Sequence, residues 1–220
     1  MIRFYSRYVR PGSLCFDLGA HVGNRVSCWR ELGATVVAVE PQPRFARYLE
    51  RFIADDHVTV VRSAVGREAG RACLYTDPRN PTVSTLSRQW QKQVKADPRW
   101  MRVEWSRTDD VEVVTLDQLI SQFGEPAFCK IDVEGAELDV LLGASRPLRG
   151  VSFEVIPAAR DAGLAALAQL ETLGHYRFNF STSESMELQF EEDVDSTALR
   201  HFLATLGSGA RSGDVYACRL

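Results

Sequence analysis

Short apolar, β-branched runs alternate along this chain with segments whose apolar residues recur at helical spacing, and that alternation constrains the fold more than any other feature. Thr35–Val39, Val58–Val61, Phe128–Ile131 and Val151–Val155 are near-continuous apolar runs, as strands covered on both faces require. Ser13–Phe16 opens the series as a strand and leads through a glycine-containing loop into a helix that runs to Leu32 and stops at Gly33. Phe45, Leu49, Phe52 and Ile53 mark a second helix, which Pro43 starts, and Leu116–Phe123, Glu137–Leu142 and Asp161–Leu173 are further helices. In the last third, Tyr176–Phe180 alternates as a strand, Leu199, Phe202, Leu203 and Leu206 form a helix face, and Asp214–Arg219 is a short final strand. The expectation is an α/β, Rossmann-like fold. It has a mainly parallel seven-stranded sheet closed by a C-terminal antiparallel hairpin, helices on both faces, and ligands at the edge where the strands end.

Composition narrows this further. The 220 residues suit one domain, and 45% hydrophobic with 25% charged residues is the balance of a chain that folds. A net charge of −3 provides no global field toward nucleic acid or an anionic membrane. No apolar run approaches the roughly 20 residues of a bilayer span. The segment Met1–Pro11 carries three arginines with no apolar stretch behind them, so the expected location is cytoplasmic, with no membrane partner. Little chain precedes the first strand, so no N-terminal cap is expected over a ligand site. Five widely spaced cysteines read as buried reduced thiols rather than a disulfide framework or a zinc site.

The loop after the first strand carries the first chemical signal. Phe16-Asp17-Leu18-Gly19-Ala20-His21-Val22-Gly23-Asn24 sits between a strand and a helix, where a nucleotide binds. A dinucleotide would bring a pyrophosphate, which Asp17 repels; the same carboxylate attracts the ammonium and sulfonium charges of S-adenosylmethionine. Glu40 ends the second strand, 21 positions beyond Gly19, where a carboxylate can take a ribose diol; Pro41 fixes the turn that aims it. Ser63 and Ala64 end the third strand on the same edge and are expected against the adenine. The expected cofactor-binding set is therefore Asp17, Gly19, His21, Gly23, Asn24, Glu40, Pro41, Ser63, Ala64 and Asp132.

These residues, with Ala64-Val65-Gly66, Val114-Thr115-Leu116-Asp117 and above all Lys130-Ile131-Asp132-Val133-Glu134-Gly135-Ala136-Glu137, resemble the FkbM family of S-adenosylmethionine-dependent methyltransferases. The resemblance covers about residues 13–156, and Ser212–Tyr216 suits the same fold's closing strand. It implies a class I methyltransferase fold and O-methyl transfer to a hydroxyl of a sugar, glycoside or secondary metabolite. His21 departs from the family, which more usually has a small polar residue there; it either touches the substrate or caps the helix.

Methyl transfer to oxygen needs a base for the hydroxyl proton. Asp132, Glu134 and Glu154 fall at neighbouring strand ends, and with His21 they form the candidate catalytic set. Clustered carboxylates raise one another's pKa toward neutrality; alternatively, Asp132 and Glu154 hold Mg2+ through oxygen ligands. Asp132 ranks before Glu134 as the base, and Glu137 ranks last.

Asp77–Asp110 stands apart. It holds Trp90, Trp100 and Trp105, and Ser87–Arg107 carries six basic residues against two acidic ones. It reads either as a substrate lid or as a surface element whose tryptophans pack on the core. As a lid it would offer aromatic faces to a sugar ring, with Thr82, Ser84 and Thr85 bonding hydroxyls. Two other readings stand beside the small-molecule enzyme: a nucleic-acid methyltransferase using the tryptophans to stack bases, and a non-catalytic nucleotide-binding module.

Overall fold

The computed structural model describes residues 1–207 and 209–220. Among them the strands are, in chain order, β1 (Leu14–Leu18), β2 (Thr35–Val39), β3 (Val58–Val61), β4 (Ala64–Val65), β5 (Gly70–Thr76), β6 (Arg107–Val114), β7 (Phe128–Ile131), β8 (Gly150–Val155), β9 (Tyr176–Thr182) and β10 (Gly213–Arg219). The α-helices are α1 (Ile2–Tyr5), α2 (Asn24–Glu31), α3 (Pro43–Phe52), α4 (Arg88–Val94), α5 (Leu116–Phe123), α6 (Glu137–Leu142), α7 (Arg160–Leu173) and α8 (Ser196–Thr205).

Seven strands form one sheet in the order β3-β2-β1-β7-β8-β10-β9. The strands from β3 to β8 run parallel, and β10 inserts antiparallel between β8 and β9. The expected terminal pair is present, with α8 in its connection. The chain steps outward from β1 through β2 to β3, then returns to β7 on the other side of β1. That reversal opens a crevice between the C-terminal ends of β1 and β7, where ligands of such sheets bind.

Both faces of the sheet are covered, which is why its strands read as unbroken apolar runs. In β2, Val37 and Val39 face one core with Phe16, Leu18, Ile131 and Phe153, while Val36 and Ala38 face the other with Trp29 and Phe128. The unanticipated helix α1 joins this second core, placing Tyr5 edge-on to Trp29 at 5.4 Å. Among the described residues, no helix is long and apolar enough to cross a membrane.

A second sheet, β4-β6-β5, projects from the frame. Strands β5 and β6 are antiparallel with Thr76 opposite Arg107, so the segment between them leaves and returns at one point. Asp77 cinches that neck, its carboxylate accepting the backbone N–H groups of Arg79 at 2.9 Å and Glu104 at 2.8 Å. The excursion thus ends near Ser106 rather than at Asp110, because residues 107–110 pair in β6.

Candidate active site

Two loops cross at the crevice and set the site. Gly19 has φ of +88°, and a Cβ added there would lie 1.9 Å from the carbonyl oxygen of Asp132. The glycine is therefore required by the neighbouring loop, since only a residue without a side chain lets the ends of β1 and β7 approach so closely. The N–H groups of Gly19 and Ala20 both donate to the Val39 carbonyl, at 2.9 and 3.1 Å, drawing the loop against the end of β2. Glu40 comes next in the chain. Its Oε2 accepts the His21 N–H at 2.9 Å and its Oε1 the Gln42 N–H at 2.8 Å. Burial raises the Glu40 carboxyl to about 7, against the pull of those two backbone donors.

Two adjoining cavities share Gly19, His21, Thr82, Asp132 and Glu134. One is a half-polar slot lined by Glu40, Pro41, Ser63, Ala64, Leu74 and Leu86. The other, about 420 Å³, is lined by Asp17, Asn24, Arg25, Lys130, Glu154 and Glu184. Of the residues expected to bind a cofactor, Gly23 alone lines neither; it caps α2 and faces Leu49 and Ile53 of α3. Asp17 is a residue of β1 rather than of the loop after it. Its side chain is 1% exposed and its Oδ1 has no hydrogen-bond partner, yet it lines the larger cavity. Burial raises its carboxyl to about 6, with Arg25 and Lys130 pulling the other way.

Asp132, Glu134 and Glu154 converge, each with an oxygen within 4.8 Å of the others. Lys130, 2% exposed, sits beneath them with Nζ 3.1 Å from Asp132 Oδ2 and 3.3 Å from Asp214 Oδ1. Against burial, Lys130 and Arg25 hold the Asp132 carboxyl low. Burial and neighbouring carboxylates push Glu134 well up and Glu154 to about 8. Glu134 also has φ of +53°, a conformation that a non-glycine residue adopts only when its surroundings hold it there. Glu137 turns away from this chemistry: its Oε1 accepts the N–H groups of Gly135 at 3.1 Å and Val133 at 3.3 Å, bracing the loop. His21 lies against Phe45, ring centroids 4.0 Å apart and tilted at 51°, with Nε2 buried and unpartnered, and burial lowers its pKa.

Comparison with known proteins bears on this arrangement. The family model for the methyltransferase FkbM domain matches residues 17–187, from the buried aspartate through β9. The chain belongs to the FkbM methyltransferase family. A crystal structure of methyltransferase FkbM from Methylobacillus flagellatus KT is similar, with a TM-score of 0.54 and 14% identity over 98% of this chain and 50% of that one. The chain thus spans half the length of that protein. An rRNA methylase from Streptococcus thermophilus (TM-score 0.50, 10% identity, covering 100% of this chain and 93% of that one) is similar too. So is a putative hemolysin from Lactococcus lactis (TM-score 0.50, 13% identity, covering 98% and 83%). At these identities the likeness is one of fold. No curated protein matches the chain.

In this FkbM domain the segment between β5 and β6 lies over the crossed loops. Trp90, 2% exposed, packs on Gly135, where a Cβ would lie 2.1 Å from the indole. Thr85 Oγ1 donates to the Glu134 carbonyl at 2.6 Å, and Gln42 Nε2 to the Pro81 carbonyl at 3.0 Å. Trp100 and Trp105 stand edge-on to Trp90 at 5.1 and 5.9 Å, and Lys95 covers Trp105. The tryptophans therefore form an inward-facing cluster with Val94, Ile156 and Ala159 rather than a row of open faces. Trp100 still lines a third cavity, with Asn80, Arg99, Ile156 and Ser212.

Lys130, Arg25, Asp214 and Glu184 are site residues that sequence reasoning did not single out. Lys130 was visible inside its motif as a cation embedded in an apolar strand, Phe128–Ile131. Nothing local marks Asp214 or Glu184, which arrive from the far end of the chain.

Proposed function

We propose that the chain is an S-adenosylmethionine-dependent O-methyltransferase acting on a hydroxyl of a small acceptor, a sugar or glycosylated metabolite. The observation that carries this reading is the buried, unpartnered Oδ1 of Asp17 on the wall of a cavity continuous with the Glu40 slot. A lone buried carboxylate oxygen asks for a donor or a cation, and a pyrophosphate is neither. The methionine ammonium answers that demand. Glu40 retains lone pairs for ribose hydroxyls, and Ser63, Ala64 and Leu74 flank the adenine position. When bound, S-adenosylmethionine supplies a methyl group made electrophilic by its sulfonium charge.

Glu134 and Glu154, raised by burial and mutual repulsion, suit the task of taking the acceptor's hydroxyl proton. Transfer of that methyl group to the acceptor oxygen would leave the carbon–sulfur electron pair with sulfur, and Glu134 or Glu154 would hold the hydroxyl proton. Lys130 keeps Asp132 anionic and fixed, so the cation among these carboxylates is a lysine, and a chelator is expected to leave turnover unchanged. The Trp100 cavity, which Ser212 also lines, is the acceptor's place in this reading, with the segment over the crossed loops as its lid. The inward packing of the tryptophans weighs against base stacking, and the paired Lys130 and Asp132 weigh against a non-catalytic module.

Calorimetry tests the cofactor. S-adenosylhomocysteine is expected to bind, and Asp17→Ala and Glu40→Ala to weaken it, each by about tenfold or more. Wild-type protein that ignores this ligand, or prefers NAD, ends the reading.

A further inference from the structure

The family match ends at residue 187, yet the last strand of the chain supplies a charge to the site. Strand β10 lies antiparallel to β8 with Asp214 opposite Glu154, which brings Asp214 beside the carboxylate cluster. There Asp214 Oδ1 lies 3.3 Å from Lys130 Nζ, and Asp132 Oδ2 lies 3.1 Å from the same nitrogen. Lys130 is 2% exposed and Asp214 7%, so water and salt screen the pair little. The Tyr216 hydroxyl donates to Asp214 Oδ2 at 3.4 Å. Burial raises the Asp214 carboxyl, against the pull of Lys130. One ammonium thus serves two carboxylates, which leaves the trio one negative charge in excess.

That excess lies next to a particular point in the crevice. Asp17 is on the larger cavity and Glu40 on the slot, while Asp132 lines both. With the ammonium at Asp17 and the ribose at Glu40, the sulfur that joins the two parts of the cofactor falls at the junction, beside Asp132. Lys130 lines the larger cavity and Asp214 lines neither, so Asp214 reaches the junction only through Lys130. Resting on the S-adenosylmethionine reading, we propose that Asp214 is a positioning residue that sets the charge at this junction through Lys130, so that the site favours a sulfonium over a neutral thioether. Without Asp214, the ammonium would be balanced by Asp132 alone and the trio would be neutral. With it, the excess charge attracts the sulfonium and loses its hold on the thioether, because Coulomb attraction needs a charge on both sides. The role also gives a use to a buried lysine–aspartate pair whose desolvation is otherwise a cost.

Calorimetry on the full chain with S-adenosylmethionine and S-adenosylhomocysteine tests this, since the two differ in charge only at the sulfur. The quantity read is the ratio of their affinities, in which a general loss of the cavity's shape cancels. Asp214→Asn replaces the carboxylate by an amide of the same shape and should shift the ratio against S-adenosylmethionine by about 3- to 10-fold. Asp214→Glu keeps the charge and should hold the wild-type ratio within about twofold. Tyr216→Phe removes a contact of Asp214 but no charge, and should hold it as well. Lys130→Met removes the cation and should move the ratio the other way, an independent reading if Asp214→Asn does not fold. A ratio unchanged in Asp214→Asn, whether both ligands weaken equally or neither does, makes Asp214 a strut of β10 and overturns the inference. So does a shift of the ratio against S-adenosylmethionine, or none, in Lys130→Met. Wild-type protein that binds neither ligand sinks the cofactor reading itself, whereas binding of both with an unmoved ratio in the variants sinks this inference alone.

Discussion

On the Glu40 side of the cleft, both carboxylate oxygens accept backbone N–H groups. On the Asp17 side, by contrast, Asp17 Oδ1, Arg25 Nε and Glu134 Oε2 are buried without partners. The first half is finished by its own backbone, so its shape exists before any ligand arrives. The second half is left electrostatically incomplete. Desolvation works on both halves, raising Glu40 to about 7 and Glu154 to about 8. Only the second half also crowds like charges together.

The strongest way to break this contrast is at Gly19, one of the residues both halves share. Gly19→Ala puts a methyl group against the Asp132 carbonyl at a positive φ, and we expect a loss on the order of 4 kcal/mol or more in denaturant unfolding. Wild-type stability in this variant would mean that the two loops do not cross as described. Trp90→Ala comes next, at about 3–5 kcal/mol for a fully buried indole. Limited proteolysis should then cut first between Asp77 and Ser106. A cut elsewhere would show that the segment is not anchored through Gly135.

A third variant sharpens the contrast through pH. Glu154 has a folded pKa of about 8 against an ordinary 4.5, so its neutral form is favoured in the native state. That contribution is complete below about 4.5 and lost as pH rises through about 8, so the protein should be less stable at pH 9 than at pH 6. Glu154→Gln should flatten this decline by up to roughly 1 kcal/mol per pH unit, measured by urea unfolding across the range. If Glu154 is the base, activity rises as it ionises, opposite in sign to stability; a profile unchanged in Glu154→Gln assigns the proton to Glu134. The smallest effect is expected from Thr85→Val, which removes the hydroxyl bonded to the Glu134 carbonyl and costs about 1 kcal/mol. No change in stability or in the affinity for S-adenosylhomocysteine would place the tie between this segment and the Glu134 loop outside the working site.

Much of the frame was legible because its signals are local. The apolar runs at 35–39, 58–61 and 128–131 became β2, β3 and β7 at those bounds, since each is a short, mostly apolar run bounded by turn residues. The helices at 116–123 and 137–142 likewise matched, the first started by a Thr115–Gln118 capping box. Strand β1 starts one residue later and ends two residues later than expected and so absorbs Asp17, because a buried charge in a strand looks, in sequence, like the start of a loop. Asp17, Glu40, Asp132, Glu134 and Glu154 were expected at or just after strand ends, and the structure brings all five to the walls of the two adjoining cavities. The small sheet β4-β6-β5 was not assembled in advance, since its pairing joins residues far apart in the chain.

The sequence by itself determined the parallel frame, the edge where a ligand must bind and the acids placed along it, because periodicity and strand ends are properties of neighbouring residues. Tertiary structure alone decided which groups would be paired and which left open. Lys130 meets Asp214 across 84 positions and Arg25 meets Glu184 across 159. Chain folding sets such distances, and in a low-dielectric interior those distances decide which charges are neutralised at home and which wait for a partner.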